Sequence, residues 1–236
     1  MSTVRPVLEA VCAHVMADLP AILAQRRTVT WKPDGSPVTD ADVRLEREIH
    51  ALLESQLGPV NLVGEESYDA AAVVGAASWT AVLDPIDGTE NFCSGLKEWG
   101  VSLSLWRDGG HEGSLLLLPE LGERMMTGEP IERHTSRITG FSSSITPELA
   151  QQLVGAGEAR ILGCAVYNLY NVVRGSLARF ANPKGAKSWD LMAGLMLARE
   201  HGCDVTVEGR PYDGSYLEPD RRHRFDIRHR YDLHPG

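Results

Sequence analysis

The stretch AVLDPIDGTENF (Ala81 to Phe92) constrains this chain more than any other. A strand-like apolar run leads directly into two aspartates around a proline, followed by a glycine, a threonine and an acid. Pro85 cannot donate to a β-ladder, so it is expected to end the strand and leave the Ile86 carbonyl facing outward. Asp84 and Asp87 would then point into one space with that carbonyl between them, a concentration of hard oxygen donors. Like charges this close are unfavourable unless a cation or water separates them. Standing alone, such a segment reads as an Asp-rich surface turn.

It does not stand alone. GEES (Gly64 to Ser67) also places acids just after an apolar run, and SWDLMAG puts Asp190 at the entrance of an apolar helix, as a ligand or equally as an N-cap. A donor set of Asp, Glu and backbone carbonyl suits Mg²⁺, Mn²⁺ or Ca²⁺ and disfavours zinc. If Gly88 and Thr89 begin a helix, their backbone N–H groups face an anion. Acids beside an anion-binding helix terminus fit together when divalent ions bridge them to a phosphate. The formal net charge of -9 argues against a nucleic-acid polymer or a membrane surface as partner. It leaves an anionic small molecule open, because bound cations reverse the local field.

The rest of the chain supplies the frame. Leu8, Val11, Val15 and Leu19 predict a first helix interrupted at Pro20. A second helix is expected after a Thr39 or Asp40 cap, with Val43, Leu45, Ile49, Leu52 and Leu53 inside. Strands are expected at NLVGEE, WTAVLDP, VSLSLWRDGG and GSLLLLP. A Gly-, Glu- and Ser-rich tract from Glu120 to Ser144 suggests a division into an N-terminal α+β lobe (1–135) and a C-terminal α/β lobe (136–236). Helices follow at TPELAQQLVGAG with Thr146 as cap, at AVYNLYNVVRG, and at WDLMAGLMLAREHG closed by Gly202. This mixture of strands and helices predicts a layered mixed α/β fold. The scattered cysteines Cys12, Cys93, Cys164 and Cys203 read as free thiols of a cytoplasmic protein. No secretory signal and no apolar run of membrane-span length is expected.

Four separated motifs, KPDGSPVTDAD, GEES, LDPIDGTENF and WDLMAGLMLAREHG, occur in an order that resembles the inositol monophosphatase family of Mg²⁺-dependent, lithium-sensitive phosphatases. That family includes histidinol-phosphate, fructose-bisphosphate and 3'-phosphoadenosine phosphatases. The resemblance implies a layered α-β-α-β-α sandwich of the sugar-phosphatase type. It implies that Glu65, Asp84 and the Ile86 carbonyl hold a first metal ion and that Asp84, Asp87 and Asp190 hold a second. Asp42 and Thr89, with Glu65, would activate water, while Gly88 and Thr89 would hold the phosphate. Gly163, Cys164 and Ala165 would line the alcohol side, and Asp87 and Asp190 would also face substrate. Two or three Mg²⁺ per site, with Mn²⁺ as a substitute, a small phosphate ester as ligand and a homodimer complete the expectation. A catalytically silent metal- and phosphate-binding or scaffold member of the same fold is the alternative.

Departures from the family pattern concern substrate. Where inositol-phosphate enzymes have a hydroxyl-binding glutamate, this chain has FANPKGAKSWD, with Asn182, Pro183 and Lys184 and no acid. Lys184 is therefore a substrate-side candidate, or, with Lys187, a solvated loop lysine. Cys164 replaces the customary serine or threonine. EPDRRHRFDIRHRYDLHPG concentrates Arg221, Arg222, Arg224, Arg228 and Arg230. Phe225 and Ile227 alternate there, so either a half-buried strand carries solvated arginines or some arginines reach the pocket to grip a second anion.

Overall fold

The computed structural model describes residues 4–71, 77–143 and 145–230. Helices α1 (Arg5–Ala24) and α2 (Asp40–Leu57) flank a short antiparallel hairpin of β1 (Val29–Trp31) and β2 (Pro37–Thr39). Strand β3 (Val60–Gly64) pairs parallel with β4 (Trp79–Asp87). The one-turn helix α3 (Thr89–Cys93) follows, then β5 (Gly100–Arg107), β6 (Gly110–Leu118) and β7 (Glu123–Met126), which complete a five-stranded sheet in the order β3-β4-β5-β6-β7. The chain continues through β8 (Thr139–Phe141), α4 (Pro147–Gly155), β9 (Ala159–Ile161), α5 (Ala165–Val173), β10 (Arg179–Ala186) and α6 (Ser188–Glu200). It ends with β11 (Asp204–Val207), β12 (Arg210–Pro211) and β13 (His223–Arg228), and the second sheet runs β12-β11-β13-β10-β8-β9.

Side-chain alternation builds the layers. Ala81 and Leu83 of β4, with Leu115 and Leu117 of β6, face α1 and α2. Their neighbours Val82, Leu116 and Leu118 point the other way, toward α5 and α6. Phe180, Val205, Phe225 and Ile227 of the second sheet cover those two helices from beyond. Leu149 of α4 closes the outer face over Phe141 and Ala181. The succession is α-β-α-β-α, as expected, and each fully buried leucine contributes on the order of 2 kcal/mol.

Several local expectations need correction. Helix α1 runs through Pro20 to Ala24, because the fully buried Ile22 anchors its last turn and offsets the lost hydrogen bond. Helix α1 is long and apolar enough to meet the length and composition of a membrane span, contrary to the expectation that no run approached that length. Here it buries Val7, Leu8, Val11, Val15 and Ile22 against the first sheet, and a core helix passes the same compositional test. Val43 is 55% exposed, since the inward stripe of α2 takes Ala41, Asp42, Leu45, Ile49 and Leu53 instead. Strand β4 does not stop at Pro85; its register against β5 shifts between Asp84 and Asp87, and the proline sits in that irregularity. FANPKGA is strand β10 rather than a loop, with a register shift against β13 between Asn182 and Ala186. The tract from Glu120 contains β7, and the chain passes between sheets after Met126; Ser144 and residues 231–236 lie outside the described residues.

Candidate active site

The irregularity at the end of β4 sets the site. Asp84 is buried, its Oδ1 accepts from the Ile86 N–H at 3.0 Å, and its Oδ2 has no hydrogen-bond partner. Parallel pairing of Gly64 with Leu83 brings Glu65, the next residue after β3, alongside. Asp190 arrives on the first turn of α6, which is pinned to β5 by the Ser102 hydroxyl donating to the Trp189 carbonyl at 2.8 Å. Asp190 Oδ2 accepts from the Lys187 N–H at 2.8 Å, so this residue both caps its helix and faces the cleft. Carboxylate oxygens of Glu65, Asp84 and Asp190 all lie within 4.8 Å of one another.

The electrostatics follow from crowding. Burial, and then the charges of Glu65, Asp87 and Asp190, hold the Asp84 carboxyl well above its usual range. Burial and the Asp87 charge push Asp190 up to about 8. Burial also raises Glu66 to about 7, although Lys32 opposes the shift. Lys32 Nζ donates to Glu65 Oε1 at 3.1 Å and to Glu66 Oε1 at 2.8 Å. Burial disfavours its charge, but these glutamates more than offset that and raise the ammonium. An orphaned buried carboxylate oxygen inside an all-oxygen trio fits a hard divalent cation.

Beside the trio, Thr39 caps α2 in a reciprocal box: Asp42 Oδ2 accepts from the Thr39 N–H and hydroxyl. The other Asp42 oxygen accepts from Thr89 Oγ1 at 3.2 Å, and the same hydroxyl lies 3.0 Å from the Ile86 carbonyl oxygen. Burial raises Asp42 to about 6 against the lowering effect of Thr39. Gly88 takes φ +82°, and a Cβ there would sit 2.8 Å from Cys164 Cβ, so only glycine allows this turn to approach α5.

Asp87 stands apart from the three converging carboxylates. Its Oδ2 accepts from the Val166 N–H at the amino end of α5 and from Cys164 Sγ at 2.9 Å. Burial lifts it to about 6 while these donors pull it down. Its charge still contributes to raising Asp84 and Asp190. Cys164 keeps the capping role of a hydroxyl residue, because its sulfur accepts from the Tyr167 N–H at 3.2 Å. Burial and Asp87 push its thiol well up. Gly163 (φ +75°) and Ala165 flank it, the latter as the first residue of α5.

On the substrate side, Lys184 is exposed in the irregular part of β10. Lys187 Nζ is occupied by the Pro219 and Asp220 carbonyls. Asn182 is buried, and its Oδ1 accepts from the Gly185 N–H at 3.0 Å.

Sequence reasoning passed over Lys32, Glu66 and Asn91, although each lies within or beside a motif it quoted. A lysine in turn chemistry reads as solvated until the β1–β2 hairpin brings it to Glu65. Asn91 Nδ2 donates to the Glu98 and Leu162 carbonyls, both at 2.7 Å, and so clamps two loops around the Gly88 turn.

The family model described as "Inositol monophosphatase family" matches residues 1–137. Inositol-1-monophosphatase of Rhizobium meliloti (strain 1021) is 26% identical over 224 residues, 82% of this chain and 81% of the relative. Histidinol-phosphatase of Mycobacterium tuberculosis (strain ATCC 25618 / H37Rv) is 26% identical over 215 residues, 79% of this chain and 81% of the relative. A solved structure described as IMPase/NADP phosphatase complexed with Mg²⁺ and phosphate superposes with a TM-score of 0.77 at 19% identity, over 97% of this chain and 92% of that one, a likeness of fold.

Proposed function

The chain belongs to the inositol monophosphatase family, and from that premise we propose that it is a Mg²⁺-dependent phosphoric monoester hydrolase acting on a small sugar, amino-alcohol or nucleotide-like phosphate. The observation that carries the metal dependence is the buried Asp84 carboxylate, whose Oδ2 has no hydrogen-bond partner, in a trio with Glu65 and Asp190 whose ligand oxygens lie within 4.8 Å of one another. Glu65, Asp84 and Asp190, with Asp87 and the Ile86 carbonyl beside them, would hold the cations. Divalent ions in such a setting neutralise phosphoryl charge and make water more acidic.

The chain's own residues supply positioning. Thr89 Oγ1, by donating to Asp42, keeps its lone pairs for the O–H of an attacking water. Attack forms a new P–O bond as the ester P–O bond breaks, and the Thr89–Asp42 pair is placed to take up the proton that water loses. Gly88 and Thr89 lead into α3 with backbone N–H groups that have no intrahelical partner and can hold phosphoryl oxygens. No nucleophilic side chain is required, so Cys164 serves position rather than attack. The missing acid in β10 favours an alcohol other than plain inositol.

Phosphate release from a panel of inositol, histidinol, sugar, glycerol and nucleoside phosphates, with Mg²⁺, with EDTA and with added lithium, tests the reading. Release that EDTA abolishes is expected. Release that survives EDTA, or Mg²⁺ binding with no release from any ester, would replace the reading with a metal-independent hydrolase or a silent binder.

A further inference from the structure

The structure separates the basic residues that were candidates for a second anion. Arg224 pairs with Glu208 at 3.0 Å, Arg228 with Asp226 at 3.3 Å, and Arg230 with Asp204. Each is thereby satisfied along β11 and β13. Lys187 is committed to backbone carbonyls. Arg222 differs. Among the described residues it forms no ion pair, and its one hydrogen bond runs from Nη1 to the Gly185 carbonyl at 3.4 Å.

That bond locates the guanidinium. Gly185 lies two residues before Lys187, whose N–H holds the Asp190 carboxylate. A two-residue span is at most about 7 Å, so the arginine head sits within reach of the Asp190 edge of the pocket. Its base is fixed as well: Gly185 at φ +85° packs so closely that a Cβ would lie 2.9 Å from the His223 carbonyl carbon and oxygen. The irregular segment of β10 and His223 therefore pack directly against each other.

Resting on the phosphatase reading above, we propose that Arg222 is a specificity-determining residue that selects phosphate esters whose alcohol carries a second anionic group, a carboxylate or another phosphate. A guanidinium with unused donors is suited to such oxygens. It donates to the Gly185 carbonyl of the segment that, by resemblance, would otherwise carry a hydroxyl-binding acid, and so offers a positive charge there in place of a negative one.

The test compares paired esters on one scaffold, such as glucose 1-phosphate against glucose 1,6-bisphosphate, for wild type, Arg222→Gln, Arg222→Lys and Arg224→Gln. We expect wild type to prefer the bisphosphate and Arg222→Gln to raise its KM about tenfold or more with little change in kcat. KM for the singly charged partner should stay put in Arg222→Gln, Arg222→Lys should recover part of the loss, and Arg224→Gln should behave as wild type. An equal KM change for both esters, or none, overturns the assignment while leaving the phosphatase reading intact. Release from no ester by wild type would instead refute the phosphatase reading, and this inference with it.

Discussion

Replacing Asp190 with asparagine should stabilise the metal-free protein and abolish its response to Mg²⁺. The side chain sits among Glu65 and Asp84 with carboxylate oxygens within 4.8 Å, and its carboxyl is pushed up to about 8. The direction follows from linkage. Below the unfolded-state value both forms are protonated and the site is neutral; as pH rises, the unfolded chain ionises first, so folded stability falls until the folded carboxyl also ionises near the value cited. Between an ordinary aspartate value and about pH 7.5 the span is roughly 3.6 units at about 1.4 kcal/mol each, an upper bound of about 5 kcal/mol. Relaxation, solvent at this partly exposed group and sharing with its neighbours reduce that to about 2–3 kcal/mol. Asparagine removes the charge yet can still accept from the Lys187 N–H, so α6 keeps its cap.

For a chain of 236 residues, about 2–4 °C accompanies each kcal/mol. Thermal melts in EDTA should therefore place the variant about 4–12 °C above wild type near pH 7.5. The gap should shrink to about 2 °C near pH 5, where most of the linkage is gone. Added Mg²⁺ should raise the wild-type Tm, as a ligand of the folded state does, and leave the variant's nearly unchanged. A variant that melts at or below wild type in EDTA near pH 7.5, or a gap that does not narrow on acidification, would refute the account of a strained acidic cluster.

Four further outcomes are expected. Asp87→Asn should lower kcat by about a hundredfold or more while the circular dichroism spectrum and the wild-type fold persist, because an amide removes a charge and keeps an acceptor for the Val166 N–H. Asn91→Ala should lower stability by about 2–3 kcal/mol in denaturant melts, since the Glu98 and Leu162 carbonyls lose their shared donor, and should raise KM as the two loops part. Gly88→Ala should inactivate the protein: φ of +82° strains any side chain by about 1–2 kcal/mol, and the added carbon meets Cys164 Cβ at 2.8 Å. Cys164→Ser should be tolerated or stabilising by up to about 1 kcal/mol, because a hydroxyl can cap Tyr167 and donate to Asp87 as the thiol does; a loss of Tm would count against that geometry.

The parts of the site legible in sequence were those whose chemistry is local. Thr39 and Asp42 lie three residues apart, so a cap could be read from TDAD, whereas Asp87, expected to converge with Asp84, turns instead to the Val166 N–H and Cys164. The apolar run GSLLLLP likewise announced a strand, and the pairing of β6 then divides its leucines between the two faces. What stayed hidden depends on separations that no window spans. Lys32 meets Glu65 and Glu66 only once the hairpin has folded over β3. Val43 was placed inside by helical spacing, yet the burial of Asp42 rotated the stripe and turned the valine out.

The arginines show the same limit from the other side. Composition counted five basic residues near the carboxyl end as equivalent, but ion pairs neutralise three of them: Arg224 and Arg230 against the distant Glu208 and Asp204, and Arg228 against Asp226 on its own strand. Of the two that remain, Arg221 and Arg222, only Arg222 is held by a hydrogen bond to β10 near the Asp190 helix end, and it is the one able to discriminate between alcohols. In this fold the clustered carboxylates lie at strand and helix ends, while Arg222 follows a loop that bonds to an irregular strand. That arrangement lets the alcohol-recognising side change by substitution without disturbing the charges that would perform hydrolysis.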